Sequence, residues 1–97
     1  MELPGRPVTV RFFSTTKRLF GAGEVEVDAD RVADVGKLLH LVCNTPEKVR
    51  GVFSAPGTLR SDITVLVNGR NISFLDGLRT PVTAGDVVAV VPPMAGG

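Results

Sequence analysis

Two features of this sequence could carry chemistry: a glycine pair at its end, and a histidine and a cysteine three positions apart. The final stretch reads "VVPPMAGG": the apolar run Val87–Val91 meets Pro92 and Pro93, and then Met94, Ala95, Gly96 and Gly97 follow. Glycine has no β-carbon, so the Gly97 carbonyl is uncrowded and the backbone at Gly96 can thread a narrow channel. Two prolines without N–H groups stop a strand ladder and stiffen the exit from it. An extended chain from Pro93 to Gly97 reaches at most roughly 17 Å. That length places Gly97 inside a partner's pocket while the globule stays outside. The plain alternative is a frayed terminus, the usual state of chain ends.

His40 and Cys43 fall on a predicted helix at a spacing that lets side chains meet, and a cysteine beside a histidine can serve as nucleophile and base. Cys43, however, follows Leu39 by four positions on the apolar stripe, where a free cysteine packs as a small hydrophobe. His40 lies at the rim of that stripe. Packing is the expected role, and a thiol enzyme ranks last among the functions considered. The chain has one histidine and one cysteine, too few for a typical metal site, so none is expected. Gly69 and Gly77 sit in a hairpin and a turn, not in a glycine-rich loop opening a helix, and no nucleotide site follows from them.

The elements that must position the tail are legible from periodicity. "VTVRFF", residues 8–13, alternates in the manner of a strand, and "EVEVD", residues 24–28, alternates again after the turn-rich "STTKRLFGAG", so the two read as a hairpin with a long loop. Val32, Val35, Leu38, Leu39 and Val42 then recur at helical spacing, with Asp30 as the expected N-cap and Asp34 favouring the positive end. Gly36 inside that helix suggests a close approach of helix to sheet. Asn44 suits the helix end. Thr45 and Pro46 suit the start of a second short helix through Val49, Val52 and Phe53. "SAPGTLRS" reads as loop. In "DITVLVNGRNISF" the Asn68–Gly69 pair supplies the positive φ angles of a tight hairpin turn. Val87–Val91 is nearly continuous apolar sequence, as for a central strand covered on both faces, and is placed beside the first strand. The order β-β-α-β-β-β predicts a sheet with one main helix on one face, delivering the C-terminus at the sheet's edge on a projecting tail.

A chain of 97 residues makes one domain, read as residues 1–97 with a short lead-in at 1–7 and a flexible tail at 92–97. A formal charge of +1 lacks the basic excess of a nucleic-acid binder. One cysteine rules out an internal disulfide and suits the cytoplasm. "MELPGRP" lacks the pattern of a signal peptide, and no window is apolar enough for a membrane helix. No nucleic-acid or membrane partner is expected.

The pieces "VRFFSTTKRLFG", "VLVNGRNI", "FLDGLRTPVTAGD" and "AGDVVAVVPPMAGG" together resemble the β-grasp, ubiquitin-like sulfur carriers related to MoaD and ThiS, and among them the small subunits of molybdopterin synthase. The Pro92–Pro93 pair and the chain length look more like the molybdopterin branch. Phe20 before Gly21, and Val87 where relatives often carry an acid, depart from the pattern. The resemblance implies an α+β fold with a mixed sheet of about five strands. It also implies a carrier that is not itself an enzyme and binds no cofactor stably. A partner related to ubiquitin-activating enzymes would use ATP to adenylate the Gly97 carboxylate. A persulfide donor would supply sulfur to form a thiocarboxylate. The large synthase subunit would take that sulfur into the dithiolene of molybdopterin. The alternatives are a ubiquitin-like modifier joined through Gly97 to lysines, and a carrier for another pathway such as tRNA thiolation, cysteine synthesis or thiamine synthesis.

Strand alternation suggests where partners would bind. With Val10, Phe12, Val65, Val88 and Val90 facing the helix, Phe13, Leu66, Val87, Ala89 and Val91 share the opposite face, bordered by Arg11. An apolar patch of this kind marks an interaction site. Together with Pro92, Pro93, Met94 and Ala95 it is the expected partner-binding surface, with Gly96 and Gly97 as the reacting end.

Overall fold

The computed structural model describes residues 6–93. In chain order the elements are β1 (Val8–Phe12), α1 (Thr15–Phe20), β2 (Glu24–Val27), α2 (Val35–Val42), α3 (Pro46–Val52), β3 (Phe53–Ala55), β4 (Thr58–Leu59), β5 (Thr64–Val67), β6 (Arg70–Asn71) and β7 (Val87–Val91), with single 3-10 turns at Ala29–Arg31, Ile72–Phe74 and Gly77–Arg79. Five strands form one mixed sheet in the order β2-β1-β7-β5-β6, and β3 and β4 form a separate two-stranded sheet. This is the β-grasp architecture that the resemblance implies.

The last strand lies at the centre. Residues Val87–Val91 run parallel to β1, with Val10 beside Val88 and Phe12 beside Val90, and antiparallel to β5, with Val65 opposite Val90. Val8, Val10, Val65, Val88 and Val90 are fully buried, as are Val35, Leu38, Leu39 and Val52 from the helices. Burying a valine or leucine side chain contributes about 1.5–3 kcal/mol, so this inner layer is the main source of stability. The other side of β7 departs from expectation: Val87, Ala89 and Val91 are only half-buried, so the continuous apolar run does not mean full cover on both faces.

Three local readings change. The segment "TTKRLF" is a helix, not a loop: it ends at Gly21, whose φ of 73° and N–H bond to the Lys17 carbonyl close it. The main helix starts at Val35, not near Val32, and its cap is Asp34, whose carboxylate accepts the Lys37 N–H at 2.8 Å. The cause is tertiary. Val35 N–H donates to the Thr80 carbonyl and Val82 N–H to the Ala33 carbonyl, so this segment is held against 80–82 and cannot coil earlier. Asp30 instead sits in a 3-10 turn capped by Asp28. Finally, "FSAPGTL" is a small hairpin turning at Gly57, with φ of 73°; its strands are too short to show alternation. Gly36 does allow a close approach, but to the turn at Leu78, whose carbonyl would stand 3.1 Å from an added β-carbon, and not to the sheet.

Two polar devices fix the ends of β7. At its C-terminal end, buried Thr16 places its hydroxyl 2.9 Å from the carbonyls of both Val90 and Phe13, and accepts the Phe13 N–H at 2.9 Å. These contacts hold Ser14 at a φ of 53°, a region costly for a non-glycine residue. At the other end, Asn68 closes the tight turn with φ of 50°, followed by Gly69 at 86°. Its amide donates to Asp86 Oδ1 at 3.0 Å, and its oxygen accepts the Val87 N–H at 2.9 Å. Asp86 Oδ2 accepts the Thr83 N–H at 2.8 Å.

Partial burial of Asp86 pushes its pKa up, but hydrogen bonds from Asn68 and from the Thr83 N–H and hydroxyl outweigh that and hold it below its ordinary value of 3.8. A depressed folded value means a contribution to stability that is complete above 3.8 and lost as pH falls below it through the folded value. Asp86→Asn is expected to cost about 1.5 kcal/mol at neutral pH, with the gap to the parent protein closing in acid. Urea unfolding across the pH range checks this; a gap of equal size at every pH contradicts it.

Candidate functional site

The site is built outward from the end of the central strand. Past Val91 the chain enters Pro92, which is buried, and Pro93, which is exposed. The exit therefore leaves from the end of the central strand, rather than from a lateral edge of the sheet. Both prolines border a shallow depression walled by Thr15 and Leu19 of α1, Gly51 of α3 and the Arg60–Asp62 pair. A β-carbon at Gly51 would overlap the end of the Leu19 side chain, so a larger residue there requires Leu19 to move. Arg60 grips Asp62 through two bonds of 2.9 and 2.8 Å and reaches the Arg50 carbonyl at 3.3 Å. Met94, Ala95, Gly96 and Gly97, which carry the expected reacting end, lie outside the described residues.

The expected partner face is assembled by register. Ala89 pairs with Arg11 on one side and Leu66 on the other. Val91 lies beside Thr64, and Phe13, just past the end of β1, is 44 % exposed. Leu66, Val87, Ala89 and Val91 are half-buried, while their neighbours Val65, Val88 and Val90 are fully buried on the inner side. Arg11 borders the patch and lies 3.6 Å from Glu24, a solvated pair of small energetic weight. Leu66, Val87, Ala89 and Val91 thus share one face of the sheet, with Val91 at the end where the chain leaves.

Phe20 has a structural role there. It stacks on Phe12 with ring centroids 4.1 Å apart, and the Lys48 ammonium lies 5.6 Å from its ring centre. One aromatic ring thus joins α1, β1 and α3, which accounts for a large side chain in that place.

His40 and Cys43 do not form a catalytic pair. Cys43 caps the end of α2 and is buried, whereas His40 is exposed. Burial pushes the thiol up to about 11, and nearby Lys48 only partly offsets it. At neutral pH the sulfur keeps its proton and is a poor nucleophile. Among the described residues no group of three metal-binding side chains gathers, and no helix is long and apolar enough to cross a membrane. Sequence reading missed α1 and Thr16, which brace the exit. The cue was Gly21 as a helix stop after Lys17 and Arg18, a signal too local for a periodicity argument.

The ThiS family profile matches residues 10–97. Small archaeal modifier protein 3 of Haloferax volcanii is 34 % identical over 88 residues, covering 91 % of this chain and 96 % of the relative. The sulfur carrier protein CysO of Mycobacterium tuberculosis is 39 % identical over 44 residues, 45 % of this chain and 47 % of the relative. In the crystal structure of the BexX/CysO complex from Amycolatopsis orientalis, the similar chain is 28 % identical, with a TM-score of 0.77 over 93 % of this chain and 100 % of that one. With its central C-terminal strand, open apolar sheet face and family match over nearly its whole length, the chain belongs to the ThiS family of ubiquitin-like sulfur carriers.

Proposed function

We propose that this protein carries sulfur as a thiocarboxylate on Gly97 and serves as the small subunit of a molybdopterin synthase. The observation that carries the reading is the junction at Pro92 and Pro93. The sequence "PPMAGG" continues directly from the end of the most firmly held strand, beside an open apolar face. A docked globule then presents the tail from a fixed exit at Pro92 and Pro93.

In this reading the chemistry takes place on partners. The Gly97 carboxylate attacks the α-phosphate of ATP on an adenylating enzyme, and pyrophosphate leaves. The terminal sulfur of a persulfide attacks the acyl carbon, and AMP leaves. A second thiol then cleaves the acyl disulfide, forming a protein disulfide and the free thiocarboxylate. The large synthase subunit consumes that sulfur and returns the carboxylate. The globule binds and orients; its buried thiol takes no part. A single cysteine fits a reducing cytoplasm.

Similarity to a small archaeal modifier protein over most of both chains favours a second reading, in which Gly97 is transferred to lysine amines. Similarity to CysO supports a carrier for another pathway. The carrier reading predicts a protein recovered unattached, whereas a modifier leaves Gly97–lysine isopeptides on other proteins.

Removing Gly97, or adding residues after it, is expected to abolish sulfur loading with no change in thermal unfolding. An extended variant that is loaded without being trimmed contradicts this. Phe13→Arg and Leu66→Arg are expected to fold as the parent does, since a charge on a solvated surface costs little. Within an apolar contact the same charge costs about 3 kcal/mol, roughly a hundred-fold in affinity for the adenylating enzyme. Calorimetric titration measures this, and unchanged affinity for both variants contradicts the assignment of this face.

A further inference from the structure

On the helix side of the molecule lies a groove of about 640 Å³, separate from the residues of the open sheet face. Its walls are Cys43 of the α2 cap, Val49 of α3, Phe53 and Ala55 of β3, and Leu78. Gly36 lies in its lining, so no side chain intrudes there. Three observations indicate what enters it. First, β3 pairs with β4 alone, so among the described residues no strand lies against its other edge, and Phe53, Ser54 and Ala55 line the groove. Phe53 N–H donates to the Val49 carbonyl, whereas Ser54 pairs with no residue of β4, so Ser54 is the point of this edge open to an added strand. Second, the lining is mostly apolar, with Val49, Phe53, Ala55, Pro56 and Leu78 among its residues. Third, among the described residues the titratable side chains lining it besides the thiol are His40 and Arg50, with no acid. The two ion pairs among the described residues, Arg11 with Glu24 and Arg60 with Asp62, do not use Arg50.

We propose that this groove docks an extended peptide segment of a partner protein, added as a strand to the β3 edge, with an apolar side chain in the groove and a carboxylate on Arg50. Backbone bonds to β3 supply register, the apolar anchor supplies affinity, and the carboxylate selects acidic segments over basic ones. The groove and the sheet face use different residues, so a bound segment leaves the partner face and chain exit open. The carrier can thus be held by one protein while another works on its tail.

The test is selection from a random heptapeptide phage library against the intact protein, followed by titration of the recovered synthetic peptides. Recovered peptides are expected to share apolar residues beside aspartate or glutamate and to shift the amide resonances of Ser54 and Ala55. Arg50→Glu is expected to weaken them about ten-fold, and Ala55→Arg is expected to abolish binding. Both residues are exposed, so both variants fold, and Leu66→Arg is expected to leave peptide binding unchanged. Recovery of no peptide, of peptides without acids, or of peptides lost on Leu66→Arg but kept on Arg50→Glu overturns the proposal. So does a groove filled by a second copy, seen as a dimer in sedimentation that Ala55→Arg dissolves. None of these results depends on sulfur loading.

Discussion

The parallel pairing of the first and last strands is the constraint on which the rest of the molecule depends. Val8, Val10 and Phe12 meet Val88 and Val90 at the centre of the sheet, and α2 closes over them. A parallel pair cannot be joined by a tight turn, so everything between β1 and β7 serves as the connection. One consequence is mechanical. The strand that carries the chain out to Pro92 has a neighbour on each side and is further tied through Thr16 at its end. In the proposed function this arrangement matters, because a tail inserted into a partner transmits its position only if the strand behind it does not yield.

The parts of this design that rest on local chemistry were legible in the sequence. Asn68 and Gly69 announce a turn that only positive φ angles can make. Thr45 and Pro46 announce a helix start. The apolar density of Val87–Val91 announces a central strand. What escaped depends on residues far apart in the chain. The start of α2 is set by Thr80 and Val82, whose backbone bonds to Val35 and Ala33 flank Asp34 and keep it extended. The role of Thr16 depends on Val90. The peptide groove draws on residues from Gly36 to Leu78, and no periodicity in one segment reveals it. For the proposed reacting end the reverse holds: Gly96 and Gly97 are read from the sequence and its family resemblance, being outside the described residues.

The two faces of the molecule have different physical characters. The sheet face is apolar and lies beside the chain exit, so a partner bound there is positioned relative to the tail. The helix side offers a strand edge, an apolar trough and a cation with no carboxylate partner among the described residues, which suits a linear segment and not a globular surface. Cys43, the residue with the greatest chemical promise on its own, lines the groove on the helix side and packs in the core. Burial pushes its thiol up to about 11, so at neutral pH the one cysteine of a protein proposed to handle sulfur is a poor nucleophile. This favours sulfur transfer through the backbone terminus over any side-chain route.

The most direct test is the intact mass of the purified protein after incubation with ATP, an adenylating enzyme, a persulfide donor and a thiol reductant. The account predicts a mass increase corresponding to exchange of one oxygen for sulfur, located by fragmentation at Gly97 and unchanged in Cys43→Ala. Sulfur found on Cys43 with Gly97 unmodified would contradict it.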